Sequence, residues 1–216
     1  MVLNHNLSRV NPGSCAARAS VPDCEACGTD LDRLLREDQA LLQAWKALHQ
    51  RRFDAGQLIA QPGDAAKAIW RIEKGLVRTY YLSQDGVERN RSFHREGQWL
   101  GAGSPLRAAV MPYAIEALEE AVLIELPYPV IQAWAQRHDI HSRLTDALAT
   151  SLARREEREE GLLLKDASQR YLEFLEREPV LAERVPLHHI ASYLGITNVA
   201  LSRIRRRLRE QGNAQG

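Results

Sequence analysis

Hydrogen-bonding and cationic side chains recur at short intervals near the carboxyl end of this chain of 216 residues. Asn198 carries an amide that can pair with adenine through two hydrogen bonds, and Arg203 carries a guanidinium that can pair with guanine in the same way. Ser202 adds a hydroxyl group, and Val199 offers an apolar contact, for instance to a thymine methyl group. These residue types predict that the segment reads the bases of double-stranded DNA.

The residues around this segment have the pattern of two helices joined by a tight turn. Ala191 is small where the helices must approach closely, and Gly195 supplies the permissive backbone of a turn. Thr197 is suited to cap the second helix, which we expect to run through Arg209. The apolar residues expected to meet across the corner are Ile190, Leu194, Ile196, Leu201 and Ile204. The pattern predicts a helix-turn-helix, whose second helix presents its first residues to the major groove. A surface helix with solvated arginines is the alternative.

Positive charge accompanies the predicted motif, although the whole chain carries a formal net charge of only +1. From residue 168 onward the sequence has eight arginines against five acidic residues. We expect Arg206 and Arg207, together with Arg205 and Arg209, to contact phosphates, which adds affinity without sequence information. His188, at the start of the first helix, could also donate to a phosphate, or it could simply be exposed to solvent.

Three cysteines lie in the first 28 residues, a polar stretch with no helical or strand period that predicts a flexible tail. Cys15, Cys24 and Cys27 could hold an iron–sulfur cluster with a further ligand, or zinc with a histidine, because both favour sulfur. Cys24 and Cys27 could instead cycle as a disulfide, or the thiols could be incidental. A single histidine on a predicted strand, His94, is better explained as a structural or exposed residue than as a metal ligand.

Short apolar segments separated by glycine turns follow the tail and a helical region that begins near residue 30. Strands are predicted at 68–73, 76–82, 87–93 and 121–126, and Asp85-Gly86 suits a tight hairpin. This spacing predicts an antiparallel β-roll, or jelly roll, over residues 29–137, and the chain is therefore an α+β protein. We find no clustered metal ligands or activated nucleophile that would indicate an enzyme.

A long helix is expected next, within residues 138–165, followed by the helix-turn-helix domain at 166–216. Its narrow apolar stripe consists of Ile140, Leu144, Leu148 and Leu152. Such a seam favours pairing with the same helix of a second copy, although packing on its own domain is the alternative. The chain has no apolar stretch long enough to span a bilayer and no signal peptide, so we expect a cytoplasmic protein with no membrane partner.

The order of tail, glycine-rich roll, long helix and helix-turn-helix resembles the cyclic AMP receptor protein and fumarate-nitrate regulator (CRP/FNR) family of bacterial transcription factors. The segments that carry the resemblance are 53–59, 62–64, 72–78, 83–86, 93–97 and 185–187. The resemblance implies a homodimeric, sequence-specific regulator whose cyclic-nucleotide-binding-like domain controls two DNA-binding domains on an inverted repeat. It also implies contact with RNA polymerase if the protein is an activator.

Several positions depart from what the resemblance implies. Nucleotide-binding relatives hold the ribose and phosphate with a Gly-Glu pair and an Arg-Ser pair, where this chain has Gly101-Ala102 and Met111-Pro112. A buried phosphate would then be left unpaired, so we expect this effector pocket not to bind cyclic AMP. In the oxygen-sensing branch a fourth cysteine comes from the roll, where this chain has Ile124. A redox- or metal-responsive regulator acting through the tail cysteines is the alternative function.

Overall fold

The computed structural model describes residues 35–101, 110–137 and 141–213. The strands, in chain order, are β1 (Gln50–Phe53), β2 (Leu58–Ala60), β3 (Ala68–Lys74), β4 (Val77–Leu82), β5 (Glu88–His94), β6 (Trp99–Gly101), β7 (Ala114–Ala117) and β8 (Ala121–Pro127). The helices are α1 (Gln39–Lys46), α2 (Tyr128–Arg137), α3 (His141–Leu164), α4 (Ala167–Arg177), α5 (Pro179–Arg184), α6 (Leu187–Tyr193) and α7 (Asn198–Asn213). No helix within these described ranges is both long and apolar enough to cross a membrane.

The eight strands form the two sheets of a β-roll. One sheet has the order β1-β8-β3-β6 and the other has the order β2-β7-β4-β5, with antiparallel pairing throughout. Ala121 and Leu123 of β8 are buried in the core of the roll, whereas Ile124 is buried on the opposite face of the strand against the first helix. The roll core contains Trp70, Ile72, Met111, Ile115 and Leu123, which are between 0% and 6% exposed. This roll confirms the predicted α+β fold class.

The hairpin between β4 and β5 forms where Asp85-Gly86 predicted it. Gly86 has a φ of 75°, and Val87 closes the turn by donating its amide to the Ser83 hydroxyl at 3.0 Å. This left-handed backbone conformation is unfavourable for any residue that has a Cβ atom. The glycine therefore sets the length of this turn, and with it the pairing of β4 with β5.

The sequence predicted β3, β4, β5 and β8 to within two residues at each end, whereas β1, β2, β6 and β7 had not been assigned. Those four strands are only three or four residues long. A segment of this length cannot show two full periods of apolar alternation. Pairing with longer neighbours, rather than local sequence, makes them strands.

Three tryptophans attach the first helix to the roll. The ring of Trp45 on α1 lies 6.0 Å from that of Trp99 on β6 and 6.3 Å from that of Trp134 on α2. Asp38 caps α1 by accepting from the amides of Ala40 and Leu41. Ile124 is buried in the same cluster and is 2% exposed. The position that matches the fourth cysteine of the oxygen-sensing branch is therefore an isoleucine packed against α1.

The long helix α3 runs from residue 141 to residue 164, which agrees with the prediction. Ile140 and the side chains of Leu144 and Leu148 lie outside the described part of the structure. Leu152, the last member of the predicted stripe, is 56% exposed. Its exposure is consistent with a surface that a second copy could cover, and the dimer stays a prediction.

The turn between β3 and β4 yields a test of the roll. Gly75 has a φ of 93°, and a Cβ atom there would overlap the Glu120 carbonyl oxygen and lie 2.8 Å from the Ala121 Cα. Gly63 has a similar φ of 92° but has open space around it. Gly63→Ala should therefore lose about 1–2 kcal/mol of unfolding free energy from backbone strain alone. Gly75→Ala should lose clearly more, as measured by urea unfolding, and equal losses would contradict the packing described here.

Candidate nucleic-acid interface

Helices α6 and α7 form the predicted helix-turn-helix. Gly195 follows α6 with a φ of 72°, and the Ile196 amide donates back to the Ala191 carbonyl at 3.0 Å. This arrangement ends a helix with a glycine in the left-handed region and satisfies its last carbonyl groups. The chain can therefore turn sharply enough for α7 to cross α6.

Thr197 caps α7 as predicted. Its hydroxyl oxygen accepts from the Ala200 amide at 3.2 Å, and its carbonyl oxygen accepts from the Leu201 amide at 3.1 Å. Satisfying free amides of the first turn stabilises a helix by about 1 kcal/mol. The helix extends four residues beyond the predicted end at Arg209.

The apolar residues assigned to the corner are buried there. Each is at most 7% exposed: Ile190, Ala191, Leu194, Leu201 and Ile204. Ile196 is partly buried and packs against the same cluster. Burial of this side of α7 fixes its rotation about its own axis, because its opposite side must then face solvent.

The exposed side of α7 carries the residues predicted to read bases. Asn198, Val199, Ser202 and Arg203 are all exposed, and Val199 is 61% exposed despite its apolar side chain. They line one shallow, open depression together with Arg206 and Arg209. The arrangement offers one amide, one hydroxyl and several guanidinium groups to a single surface, which suits base edges flanked by phosphates.

Arg206, like Arg209, is grouped differently from the expectation. The sequence assigned it to phosphates with Arg207, but its side chain lines the depression with Asn198 and Ser202. Its partner in α7 is Glu210, whose carboxylate lies 3.6 Å away with both side chains exposed. Arg207 is exposed outside the depression, and His188 is exposed at the start of α6. Their contact with phosphates stays a prediction.

The helix-turn-helix domain shares a hydrophobic cluster with the roll. Leu76 and Phe93 of the roll are buried with Phe174 of α4 and with apolar residues of α6 and α7. The ring of Tyr193 lies 5.4 Å from that of Phe93 and 5.7 Å from that of Phe174. The position of the two motif helices is therefore determined partly by the roll.

A buried polar network joins the same two parts. Arg78, 4% exposed, forms two hydrogen bonds with Glu116 at 2.8 and 3.2 Å and lies 2.7 Å from the carboxylate of Glu88. Its guanidinium also donates to the Asn90 side-chain oxygen at 3.1 Å and to His189 Nδ1 at 3.2 Å. Burial acts to lower the pKa of Arg78, but the bonds to the two glutamates outweigh it and raise that pKa. The charge at this junction is therefore permanent.

Asn90 extends this network to the backbone of α6. Its amide nitrogen Nδ2 donates to the His189 carbonyl at 2.9 Å, and its main-chain amide donates to the Ser192 hydroxyl at 3.0 Å. Arg158 of α3 reaches the same place, where it donates to the carbonyls of Tyr193 at 2.8 Å and Asn90 at 3.3 Å. The roll, the long helix and the first motif helix therefore meet at one point.

Arg184, at the end of α5, forms a second junction. It donates to both carboxylate oxygens of Glu96, at 2.8 and 2.9 Å, and to both of Glu119, at 2.6 and 3.0 Å. Glu96 also accepts from the Gly75 amide at 2.9 Å. The hydrogen bonds from Arg184 lower the pKa of Glu96 to about 2, so this clamp is intact at neutral pH.

These junction residues were not identified from the sequence. Arg78, Asn90 and Arg158 lie in segments that read as an ordinary strand, a second strand and a solvated helix. Asn90 gave no local signal, because regular strand alternation places it on the face opposite to Val87 and Phe93, the apolar residues of its segment. Only the register shift within β5 brings Asn90 to the buried side with Phe93.

The residues proposed for an effector pocket have different roles. Met111 is 1% exposed and belongs to the roll core, while Pro112 is exposed. The Gly101 carbonyl accepts a short hydrogen bond from the Tyr113 hydroxyl. Ala102 lies outside the described residues. The pocket itself therefore stays a prediction, and its described members offer no charged group.

The metal hypothesis rests on residues that the structure does not describe, since Cys15, Cys24 and Cys27 all precede residue 35. Among the described residues, no cluster of histidine, cysteine, aspartate and glutamate could hold a metal ion. His94 bonds to the Ser92 hydroxyl at 2.9 Å through Nε2, and burial with nearby Arg91 and Arg154 lowers its pKa to about 3.

Comparison with known proteins gives consistent matches. A sequence profile described as the cyclic nucleotide-binding domain matches residues 50–138. The regulatory protein HlyX of Actinobacillus pleuropneumoniae is 28% identical over 170 residues, which cover 72% of this chain and 70% of HlyX. The anaerobic regulatory protein of Haemophilus influenzae is 26% identical over 220 residues, covering 94% and 83% of the two chains.

Two solved structures have the same fold. FixK2 from Bradyrhizobium japonicum superposes with a TM-score of 0.67 at 22% identity and covers 77% of this chain and 86% of its own. A CRP-family transcriptional regulator from Thermus thermophilus has a TM-score of 0.59 at 26% identity, with 75% and 85% of the two chains covered.

His189 makes the junction between β5 and α6 dependent on pH. Burial, followed by Arg78 and His188, lowers its pKa to about 4, and only Glu88 acts in the opposite direction. Above pH 6.5 the ring is neutral whether or not the domains are docked, so docking is unaffected. The undocked ring has the ordinary histidine pKa of 6.5, so below this pH it becomes protonated while the docked ring stays neutral. Protonation stabilises the undocked form, and docking therefore weakens as the pH falls.

We therefore expect hydrogen exchange of the β5 amides to become several-fold faster, relative to those of β3, when the pH falls from about 7.5 to about 5.5 after correction for intrinsic rates. His189→Asn keeps an acceptor near the Nδ1 position and should reduce this dependence to the part that comes from buried His94 on the same strand, whereas His188→Asn should retain it in full. Unchanged β5 protection in the unmodified protein would contradict the assignment.

Proposed function

Because this chain belongs to the CRP/FNR family of transcriptional regulators, we propose that it binds an inverted-repeat operator as a homodimer through α7 and is controlled through its β-roll. It is a DNA-binding transcriptional regulator.

The observation that carries the proposal is the single exposed face of α7. Asn198, Ser202 and Arg203 share it while the opposite face is buried against α6. A helix held in this way can enter a major groove without rearrangement of its own domain. Five of its sixteen residues are arginines and one is acidic, which favours the phosphates on either side of the groove.

We propose that Asn198, Val199, Ser202 and Arg203 contact bases. Relatives often carry glutamate at the position of Val199, and its replacement by an apolar side chain favours a different operator. Thr197, His188, Arg206 and Arg207 complete the proposed interface as cap and phosphate contacts. We further propose that the protein acts in the cytoplasm and that, as an activator, it would contact RNA polymerase.

Control without cyclic AMP is supported by the interior of the roll. Met111 occupies the core where nucleotide-binding relatives carry an arginine, and neighbouring Pro112 has no hydrogen-bond donor. A phosphodiester at this place would lack a charge-assisted partner from these two residues. An iron–sulfur or zinc sensor at the tail cysteines stays the alternative.

Substitution of two arginines should separate sequence reading from general affinity. Arg203→Ala should lose about 1–3 kcal/mol of binding to the selected operator and relax preference at one base pair of each half-site. Arg207→Ala should weaken binding to all duplexes about equally and reduce the salt dependence. Selection from a random duplex pool, followed by titration at two salt concentrations, measures both effects. The opposite pattern would mean that the two side chains have exchanged roles.

A second substitution tests the dimer. Leu152→Glu places a charge on the proposed seam, and we expect a monomer by sedimentation equilibrium, with binding to the full inverted repeat reduced to that of a half-site. Leu172 of α4 is similarly exposed, at 47% against 56% for Leu152, but lies off the seam. Leu172→Glu should therefore leave the dimer intact. A monomeric unmodified protein would refute the proposal.

A further inference from the structure

Strand β5 has two sides with different environments. Asn90 and Phe93 face the helix-turn-helix domain, where they meet α6 and Tyr193. Ser92 instead meets Thr79, with their hydroxyl oxygens 2.7 Å apart. The register with β4 shifts between these positions, because Thr79 pairs with Ser92 and Tyr80 pairs with Asn90. Arg91 is therefore the extra residue of a β-bulge, a feature that redirects a side chain.

Arg91 is a half-buried cation whose charge has no described counter-ion. Its guanidinium carbon lies 4.5 Å from the centre of the Tyr113 ring, and Nη1 donates to the Ser92 hydroxyl at 3.2 Å. None of the carboxylates in the described ranges forms an ion pair with it. By comparison, Arg78, Arg158 and Arg184 have acidic or carbonyl partners that hold their guanidinium groups.

Further positive charge lies around this residue. The guanidinium groups of Arg91 and Arg154 act to lower the pKa of His94, after burial itself. Burial raises the pKa of Tyr113, while Arg91 and Arg155 act to lower it. No carboxylate of the described residues acts on the pKa of either group, so the described surroundings favour an anion.

The stacking of Arg91 on Tyr113 leaves the edge of the guanidinium available for a hydrogen-bonded anion. A guanidinium stacked on an aromatic ring uses its flat face, and its N–H groups then point outward in its own plane. Such an edge matches the two oxygens of a carboxylate or phosphate in a bidentate pair. Tyr81, whose ring packs edge-on at 6.1 Å from that of Tyr113, adds an aromatic surface that is 48% exposed.

We propose that Arg91, supported by Tyr113 and Tyr81, binds the carboxylate or phosphate group of a small molecule that acts as the effector of the roll. This inference rests on the proposed control through the roll and names the chemistry of its ligand. The residues differ from the Gly101 to Pro112 positions at which relatives bind a nucleotide. Binding here can reach the DNA-binding domain because Asn90, the adjacent residue of β5, holds α6.

The test measures binding of defined anions to the full-length protein. Sodium benzoate supplies an aromatic carboxylate, inorganic phosphate supplies the other oxyanion, and sodium chloride at equal ionic strength is the control. We expect at least one oxyanion to bind saturably by isothermal titration calorimetry, and the stronger of the two identifies the group. Arg91→Gln should weaken this binding at least tenfold. Arg91→Lys keeps the positive charge but not the paired N–H groups of a guanidinium, and it should weaken binding less.

Arg89→Gln is the matched control, because Arg89 is exposed on the same strand and should be dispensable for binding. Absence of saturable binding, or equal binding by Arg91→Gln, would overturn the site. Operator binding by α7 is assayed separately without added anion. If the unmodified protein selects an operator but binds neither oxyanion, only this inference is refuted. If it binds an oxyanion but selects no duplex, the proposed function is refuted.

Discussion

The buried guanidinium of Arg78 is the interaction on which the two halves of the molecule depend. It lies on β4 and bonds to Glu116 on β7, Asn90 on β5 and His189 on α6, so one side chain joins three strands to a motif helix. A buried charge is costly unless it is paired and fully hydrogen-bonded. The partners must therefore stay in place together, and displacement of α6 removes two of the residues that satisfy Arg78 and Asn90. The network gives one defined docking position, which the apolar contact of Leu76 and Phe93 alone would specify less sharply.

This docking leaves the DNA-facing surface free. The hydrogen bonds described between the roll and the helix-turn-helix domain end on Arg184 of α5 and on His189 and Ser192 of α6. Asn198, Ser202 and Arg203 lie on the exposed side of α7. The roll therefore does not cover the residues proposed to read bases. What it sets is the direction in which α7 points. In a protein that must place two recognition helices about one helical turn apart on DNA, direction decides whether both can bind at once.

The motif could be read from the sequence because its determinants are local. The turn requires a left-handed backbone conformation, which Gly195 supplies, and Thr197 caps the helix that follows. The spacing of Ile190, Leu201 and Ile204 defines one buried face, and all these residues lie within a stretch of fifteen. The hairpin at Gly86 was predictable for the same reason. Arg78 and His189 are 111 residues apart, and nothing local in either segment selects the other. The same limit applies to Arg184 with Glu96, 88 residues away, and to the short strands that form only by pairing with longer ones.

Strand β5 shows why sensing and DNA binding are inseparable in this fold. Asn90 and Phe93 face the motif helices, whereas the bulged Arg91, Ser92 and His94 lie together on the other side. A ligand can shift the docking equilibrium only by the difference between its affinities for the docked and undocked forms. That difference must come from a part of the chain whose geometry is not the same in both forms. Because β5 contributes side chains to both surfaces, and because a bulge is less constrained than a regular ladder, the bulge at Arg91 is where such a difference can arise without breaking the roll.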